Sequence, residues 1–154
     1  MMHSKRRIIL DTNFLLLPGQ SKFDVFEELE KTMNEPYELF IIDKTIEELE
    51  KLEKIGKVKD RIAAKIALEL LPTKKIKQIK TSKDDRRIVD DVIIGAADEN
   101  TIVATIDKNL KKELLKRGHT IIEVVNKGFL RIKRSRMIKT ADKKVRDDKN
   151  VLQG

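Results

Sequence analysis

Arg7-Ile8-Ile9-Leu10-Asp11 is a short apolar run that stops on an acid, and Thr101-Ile102-Val103-Ala104-Thr105-Ile106-Asp107 does the same with β-branched residues. Short, wholly apolar runs are the habit of strands buried on both faces of a parallel sheet. Working outward, Glu38 to Ile42 and Thr120 to Val125 read as further strands, and Lys75 to Ile79 as a weaker one. Helical spacing fills the gaps. Asp24 to Met33 sets Val25, Phe26, Leu29 and Met33 on one face ahead of Pro36. Asp43 caps a helix through Ile55, with Ile46, Leu49 and Leu52 as its stripe and Gly56 as its end. Another helix runs from Val58 to Leu71, stopped by Pro72. Asp84 or Asp90 begins one toward Asn100, and Asp107 to Arg117 forms one closed by Gly118. Strands separated by helices predict an α/β sandwich with a mostly parallel sheet.

The chain has 154 residues, the size of one domain. Hydrophobic residues make up 40%, enough for a core, and aromatics only 4%, so the core is aliphatic. There is no Cys, which excludes a disulfide scaffold, a zinc-thiolate site and cysteine catalysis. Two His make a multi-histidine metal site a poor prospect. The longest apolar runs, such as Phe14 to Leu17, are far too short to span a bilayer. The basic start, Met1 to Arg7, is not followed by the apolar segment of a secretory signal. A soluble, cytoplasmic protein is expected. The Lys/Glu-rich, Cys-free composition suits a hyperthermophile.

In an open parallel sheet, ligands bind outside the carboxyl ends of the strands. Asp11 and Asp107 both sit there. A single Asp at a strand end is ordinarily a helix cap, but two on one sheet edge point to a site. Glu48, in Ile46-Glu47-Glu48-Leu49, and Asp90, in Asp90-Asp91-Val92-Ile93-Ile94-Gly95-Ala96-Ala97, are candidates to join them. The plain readings are a surface Glu and an N-cap Asp. The small Gly95, Ala96 and Ala97 suggest a helix packed close to the sheet. Four such acids would repel one another without a cation. All-oxygen donors suit Mg²⁺ or Mn²⁺, and such an ion beside basic surfaces suggests phosphodiester hydrolysis.

Ile8-Ile9-Leu10-Asp11-Thr12-Asn13, Glu48-Leu49-Glu50-Lys51-Leu52, Asp90-Asp91-Val92-Ile93-Ile94 and Val103-Ala104-Thr105-Ile106-Asp107-Lys108-Asn109-Leu110 resemble, in order, the four acidic motifs of PIN-domain nucleases. The resemblance covers about residues 6–126. Asp11 to Pro18 followed by Phe23 to Leu29 looks like one branch, the archaeal relatives of the small-subunit-processome endonuclease that cleaves precursor ribosomal RNA. It implies a PIN-like three-layer α/β/α sandwich over residues 1–126 with a basic extension over 127–154. It further implies Asp11, Glu48, Asp90 and Asp107 as catalytic acids, with Asp11, Asp90 and Asp107 on Mg²⁺ or Mn²⁺. Asp91 is the alternative to Asp90, and Glu47 to Glu48. Asn13 would orient Asp11 or a metal-bound water, and Thr105 would support the site.

Lys+Arg number 34 and Asp+Glu 26, a net +8. From Lys127 onward ten Lys and Arg face three Asp, a net of +7, so the first 126 residues carry about +1. The segment Lys127 to Met137, whose first part reads as a short edge strand, is either a solubilising tail or a tracker of RNA phosphates. A second basic stretch, Lys74, Lys75, Lys77, Lys80, Lys83, Arg86 and Arg87, leads into the Asp90 helix, and Lys108, Lys111 and Lys112 open the helix after Asp107. The RNA-binding candidates are Lys83, Arg86, Arg87, Lys108, Lys111, Arg131, Lys133, Arg134 and Arg136.

The expected activity is that of a metal-dependent endoribonuclease acting on precursor ribosomal RNA, leaving a 5′-phosphate and a 3′-hydroxyl. The alternatives are a toxin-type PIN ribonuclease cleaving tRNA or mRNA, and a catalytically silent RNA-binding assembly factor. Further candidate partners are ribosome assembly factors and a second copy of the chain, with no membrane.

Overall fold

The structure, a computed structural model, describes residues 5–135. Its strands are β1 (Arg6–Leu10), β2 (Tyr37–Ile42), β3 (Lys77–Ile79), β4 (Thr101–Ala104), β5 (Thr120–Val125) and β6 (Phe129–Lys133). Its helices are α1 (Thr12–Ser21), α2 (Val25–Thr32), α3 (Asp43–Ile55), α4 (Val58–Thr73), α5 (Val89–Ala96) and α6 (Lys108–Lys116). The strands form one sheet in the order β3-β2-β1-β4-β5-β6. The pairings among β1 to β5 are parallel, and β6 closes the edge antiparallel to β5, with Val125 opposite Phe129 and Ile121 opposite Lys133.

Alternation along β1 sends its side chains to two separate cores. Ile8 and Leu10 join Phe14, Leu15, Leu29, Leu49, Ala63 and Ala67 beneath α1 to α4. Ile9 joins Val103, Val92, Ile93, Leu110 and Leu114 beneath α5 and α6. This is the expected three-layer α/β/α sandwich. The helices after β1 and β4 leave for opposite faces, so these adjacent strands mark the switch point of the sheet, where a crevice opens at the carboxyl ends.

Several local expectations change. Helix α1, absent from the periodicity reading, runs through Pro18 and Gly19. A Cβ on Gly19 would lie 2.5 Å from Ala63 Cα, so the glycine is what lets α1 and α4 touch. Pro72 lies inside the last turn of α4 rather than just beyond its end. Helix α5 is capped by Ile88, without a side-chain bond, and ends at Ala96; Asp90 stands in its first turn instead of at its cap. Val89, Val92 and Ile93 face the sheet, while Gly95 is exposed and lies against Arg87. Among the described residues, no helix is long and apolar enough to cross a membrane.

Candidate active site

Asp11 follows the last residue of β1 and caps α1. Its backbone N–H donates to Ala104 O of β4 at 3.0 Å, which fixes it at the switch point. It is only 4% exposed. Both carboxylate oxygens have a donor: Thr12 N–H at 2.8 Å to Oδ1 and Thr105 Oγ1 at 2.8 Å to Oδ2. Burial pushes its pKa up, those two bonds pull it back, and the charges of Glu48 and Asp107 push it up again. The net direction is upward.

Thr105 is fully buried just past β4. Its hydroxyl oxygen also accepts the Asp107 N–H at 3.0 Å, so one side chain fixes both Asp11 and the turn that carries Asp107. Asp107 caps α6, accepting from Leu110 N–H at 2.9 Å. A cap and a metal ligand are compatible, since a carboxylate offers about four lone-pair positions.

Glu48 reaches the same edge from α3. The Thr12 hydroxyl donates to its Oε1 at 3.0 Å and stands 3.3 Å from Thr45 Oγ1. Burial raises the Glu48 pKa, the Thr12 bond opposes this, and the charge of Asp90 adds to it. Asp90 is half-buried in α5 and accepts no hydrogen bond among the described residues. Burial, then the charges of Asp11, Asp107 and Asp91, push it up to about 6. Asp91, on the exposed side of α5, acts on the Arg87 guanidinium.

The structure therefore gathers Asp11, Glu48, Asp90 and Asp107 at one edge of the sheet, where Asp11 feels the charges of Glu48 and Asp107, Glu48 that of Asp90, and Asp90 those of Asp11 and Asp107. Among the described residues, no three His, Asp or Glu side chains stand at the spacing of a closed metal site. The donor chemistry nevertheless fits a hard divalent cation. Every offered atom is oxygen, and Asp90 is an unpartnered carboxylate raised by burial first and by neighbouring negative charge second. Asn13 is exposed in the first turn of α1 and gives Asp11 no bond; Thr105 and Thr12 do that work.

The RNA-binding candidates divide. Lys83 and Arg86 are exposed on residues 80–88, the connection from β3 to α5. The head of α3 holds that connection. Asp43 accepts from Thr81 N–H at 2.8 Å and Thr81 Oγ1 at 2.9 Å, and Lys44 Nζ donates at 2.6 Å to each of the Asp85 and Arg87 carbonyls. Arg87 itself pairs with Asp85 at 2.7 Å. Lys108 is exposed at the start of α6. Lys111 and Arg131 both bind Glu123 of β5, at 3.4 and 2.7 Å, which neutralises much of their charge. Lys133 and Arg134 are exposed, but β6 runs away from the acids and leaves them at the opposite end of the sheet. Lys74, Lys75 and Lys77 precede or open β3 and lie at that opposite end too. Arg136 lies outside the described residues. Sequence reasoning gave Asp43 only the role of a cap, which falls to Ile42 while Asp43 stands in the first turn of α3, and did not single out Thr12, Thr45 or Lys44; their value comes from contacts between elements.

Comparison with known proteins agrees with this geometry. A family model described as a PIN like domain matches residues 8–127. Ribonuclease VapC4 of Methanocaldococcus jannaschii is 34% identical over 130 residues, which is 82% of this chain and 95% of that protein. Ribonuclease VapC9 of Archaeoglobus fulgidus is 31% identical over 115 residues, 73% of this chain and 78% of that one. The structure of the PIN domain endonuclease Utp24 superimposes with a TM-score of 0.66 at 30% identity, covering 83% of this chain and 91% of that one.

Proposed function

The chain belongs to the PIN-like domain family, and from that premise we propose that it is an endoribonuclease that hydrolyses RNA phosphodiester bonds at the crevice holding Asp11, Glu48, Asp90 and Asp107. The observation that carries this reading is the state of Asp90, a half-buried carboxylate without a donor, raised to about 6 beside other acids. Such a cluster suits a partner that brings positive charge. Asp11, Asp90 and Asp107 would hold Mg²⁺ or Mn²⁺. When bound, that ion lowers the pKa of water and stabilises the leaving oxygen.

The remaining work belongs to the chain. Thr105 and the Thr12 N–H hold Asp11 in one orientation and oppose its protonation. The Thr12 hydroxyl keeps Glu48 turned toward the cluster. Asn13, exposed beside Asp11, is placed to meet substrate or water. Lys83 and Arg86, on the connection that leads into α5, and Lys108, next to Asp107, would offset the repulsion between phosphates and carboxylates.

For the substrate we favour precursor ribosomal RNA, on the motif resemblance over residues 11–29; the 30% identity with the PIN domain endonuclease Utp24 across 83% of the chain supports the endonuclease activity itself. A toxin-type activity on tRNA or mRNA is the second reading, favoured by 34% identity with a VapC ribonuclease over 95% of its length. The test is end-sequencing of precursor ribosomal RNA, tRNA and mRNA after incubation with wild type or Asp11→Asn in Mn²⁺. New ends that appear only with wild type, on the precursor alone, are expected. Cuts confined to tRNA or mRNA select the second reading, and identical ends with Asp11→Asn reject the site.

A further inference from the structure

At the end of the strands opposite the acids, two neighbouring concavities of about 380 and 290 Å³ share Phe26 and Lys74. Together they gather Lys5, Lys22, Lys74, Lys75 and Lys77, all exposed. Lys5 precedes β1, Lys77 opens β3, and Lys22 follows the last turn of α1, whose first turn is capped by Asp11. The length of α1, ten residues, sets the groove about 15 Å from the acids.

Three acids, Glu30, Glu38 and Asp24, share the lining, so the five lysines leave an excess of positive charge. Lys77 pairs with Glu38 at 3.0 Å, and Asp24 spends its carboxylate capping α2. Lys5, Lys22 and Lys75 form no ion pair among the described residues. Aromatic residues gather as well. The chain has five Phe, one Tyr and no Trp, and Phe23, Phe26 and Tyr37 line this groove. Phe26, only 6% exposed, is its floor beneath the Lys74 ammonium, 5.4 Å from the ring centroid, so the half-buried Phe23 and Tyr37 are the rings within reach of a base.

The backbone gives an independent sign. Lys22 and Lys75 hold φ of 57° and 54°, the left-handed region that favours glycine. Lys22 is the left-handed cap that ends α1; at Lys75, outside any helix, glycine would relieve the backbone and lysine stands instead.

We infer that this groove is a second RNA-binding site, which holds single-stranded phosphates several nucleotides from the cleaved bond. The lysines neutralise phosphate, and the accessible parts of Phe23 and Tyr37 let bases stack without reading sequence. RNA is favoured over an acidic protein because cations interleaved with aromatics match a charged backbone carrying flat bases. The inference rests on the nuclease reading above, and the test separates the two.

Full-length wild type, Lys74→Glu/Lys75→Glu and Lys75→Gly are compared on unstructured RNAs of about 4 and about 16 nucleotides. Binding is measured by anisotropy in chelator, and cleavage in Mn²⁺. For the longer RNA, the double variant should bind about 10-fold more weakly, with a salt slope flatter by roughly 0.7 per lost phosphate contact. The shorter RNA should be bound and cleaved as by wild type. Lys75→Gly should melt higher than wild type yet bind the longer RNA more weakly, which a purely structural role would not produce. Unchanged affinity for the longer RNA, or equal loss on both lengths, overturns the groove while wild-type cleavage leaves the nuclease reading standing. Poly-glutamate binding that the substitutions abolish, with RNA affinity unchanged, overturns it in favour of an acidic protein. Length-dependent binding without any cleavage supports the groove and rejects the nuclease.

Discussion

Thr105 donates its hydroxyl to Asp11 Oδ2 at 2.8 Å, joining the ends of the two strands at the switch point through a pair of buried side chains. Because the same oxygen accepts the Asp107 N–H, the hydroxyl sets the separation of two acids as well as the orientation of one. Thr105→Val keeps the shape and removes both bonds. Leaving a buried carboxylate oxygen and a backbone N–H short of partners costs about 1–3 kcal/mol each, less whatever water recovers. Urea unfolding should show a loss in that range. Thr105→Ser should recover most of the cleavage rate that Thr105→Val loses. A Thr105→Val protein as active and as stable as wild type would show that the bond positions nothing.

Asp90 makes the metal-free protein sensitive to pH. Its folded pKa, about 6, lies above the ordinary Asp value of 3.8. A raised carboxylate contributes stability that is present below the unfolded value and lost as pH rises through the folded one. Asp11 and Glu48 are raised too and act in the same direction. In chelator, Asp90→Asn should therefore gain stability relative to wild type as pH rises from about 4 to 7, while lowered groups such as Asp43, Glu123 and His119 push the curves of both proteins the other way. Mn²⁺ at pH 7 should raise the melting temperature of wild type more than that of the variant. Melts at a series of pH values, with and without Mn²⁺, check both; a difference between variant and wild type that stays constant from pH 4 to pH 7 in chelator would contradict the charge balance described for the acids.

The ends of β1 and β4 were legible because each is an apolar run closed by an acid, and strand burial leaves that acid nowhere but the sheet edge. Helix α1 was not, since Pro18 and Gly19 interrupt its pattern and the reason for Gly19 is Ala63, some forty residues away in the chain. Small side chains at Gly95 to Ala97 signalled close packing without saying on which face, and the face is set by Val89, Val92 and Ile93. Thr12 carries no motif of its own. It matters because α3 docks Thr45 and Glu48 against it, a contact between elements that local spacing does not encode.

Lys44 holds the basic connection before α5 by the two carbonyls of Asp85 and Arg87, and its ammonium is mostly shielded from water. Lys44→Met retains the stem and removes both charge-assisted bonds, worth about 1.5–3 kcal/mol each where they are fully shielded. The expected result is a smaller loss of global stability and faster amide exchange over residues 80–88. Since this connection carries Lys83 and Arg86 and leads directly to Asp90, KM for RNA should rise and kcat should fall together. Unchanged exchange over residues 80–88 would mean that Asp43 and Thr81 hold it without help.

Glu123 decides how many of the cations beside β5 are left without an acid partner. It lies in the sheet with its side chain 10% exposed, between Lys111 at 3.4 Å and Arg131 at 2.7 Å. Burial pushes its pKa up, and the bonds and charges of Arg131 and Lys111 more than reverse that. A lowered carboxylate contributes stability above its unfolded value and loses it as pH falls through the folded one, so this clamp is intact at neutral pH and weakens only in acid. Glu123→Gln keeps the size, removes the charge and releases both cations. Stability should drop at pH 7, with less of a difference from wild type near pH 3. RNA affinity should move the other way, rising at low salt, and the slope of log affinity against log salt should steepen by roughly 0.7 for each cation that gains a phosphate. A stability loss with no gain in affinity would place Lys111 and Arg131 outside the RNA path and leave Glu123 as a fastener of the edge strand alone.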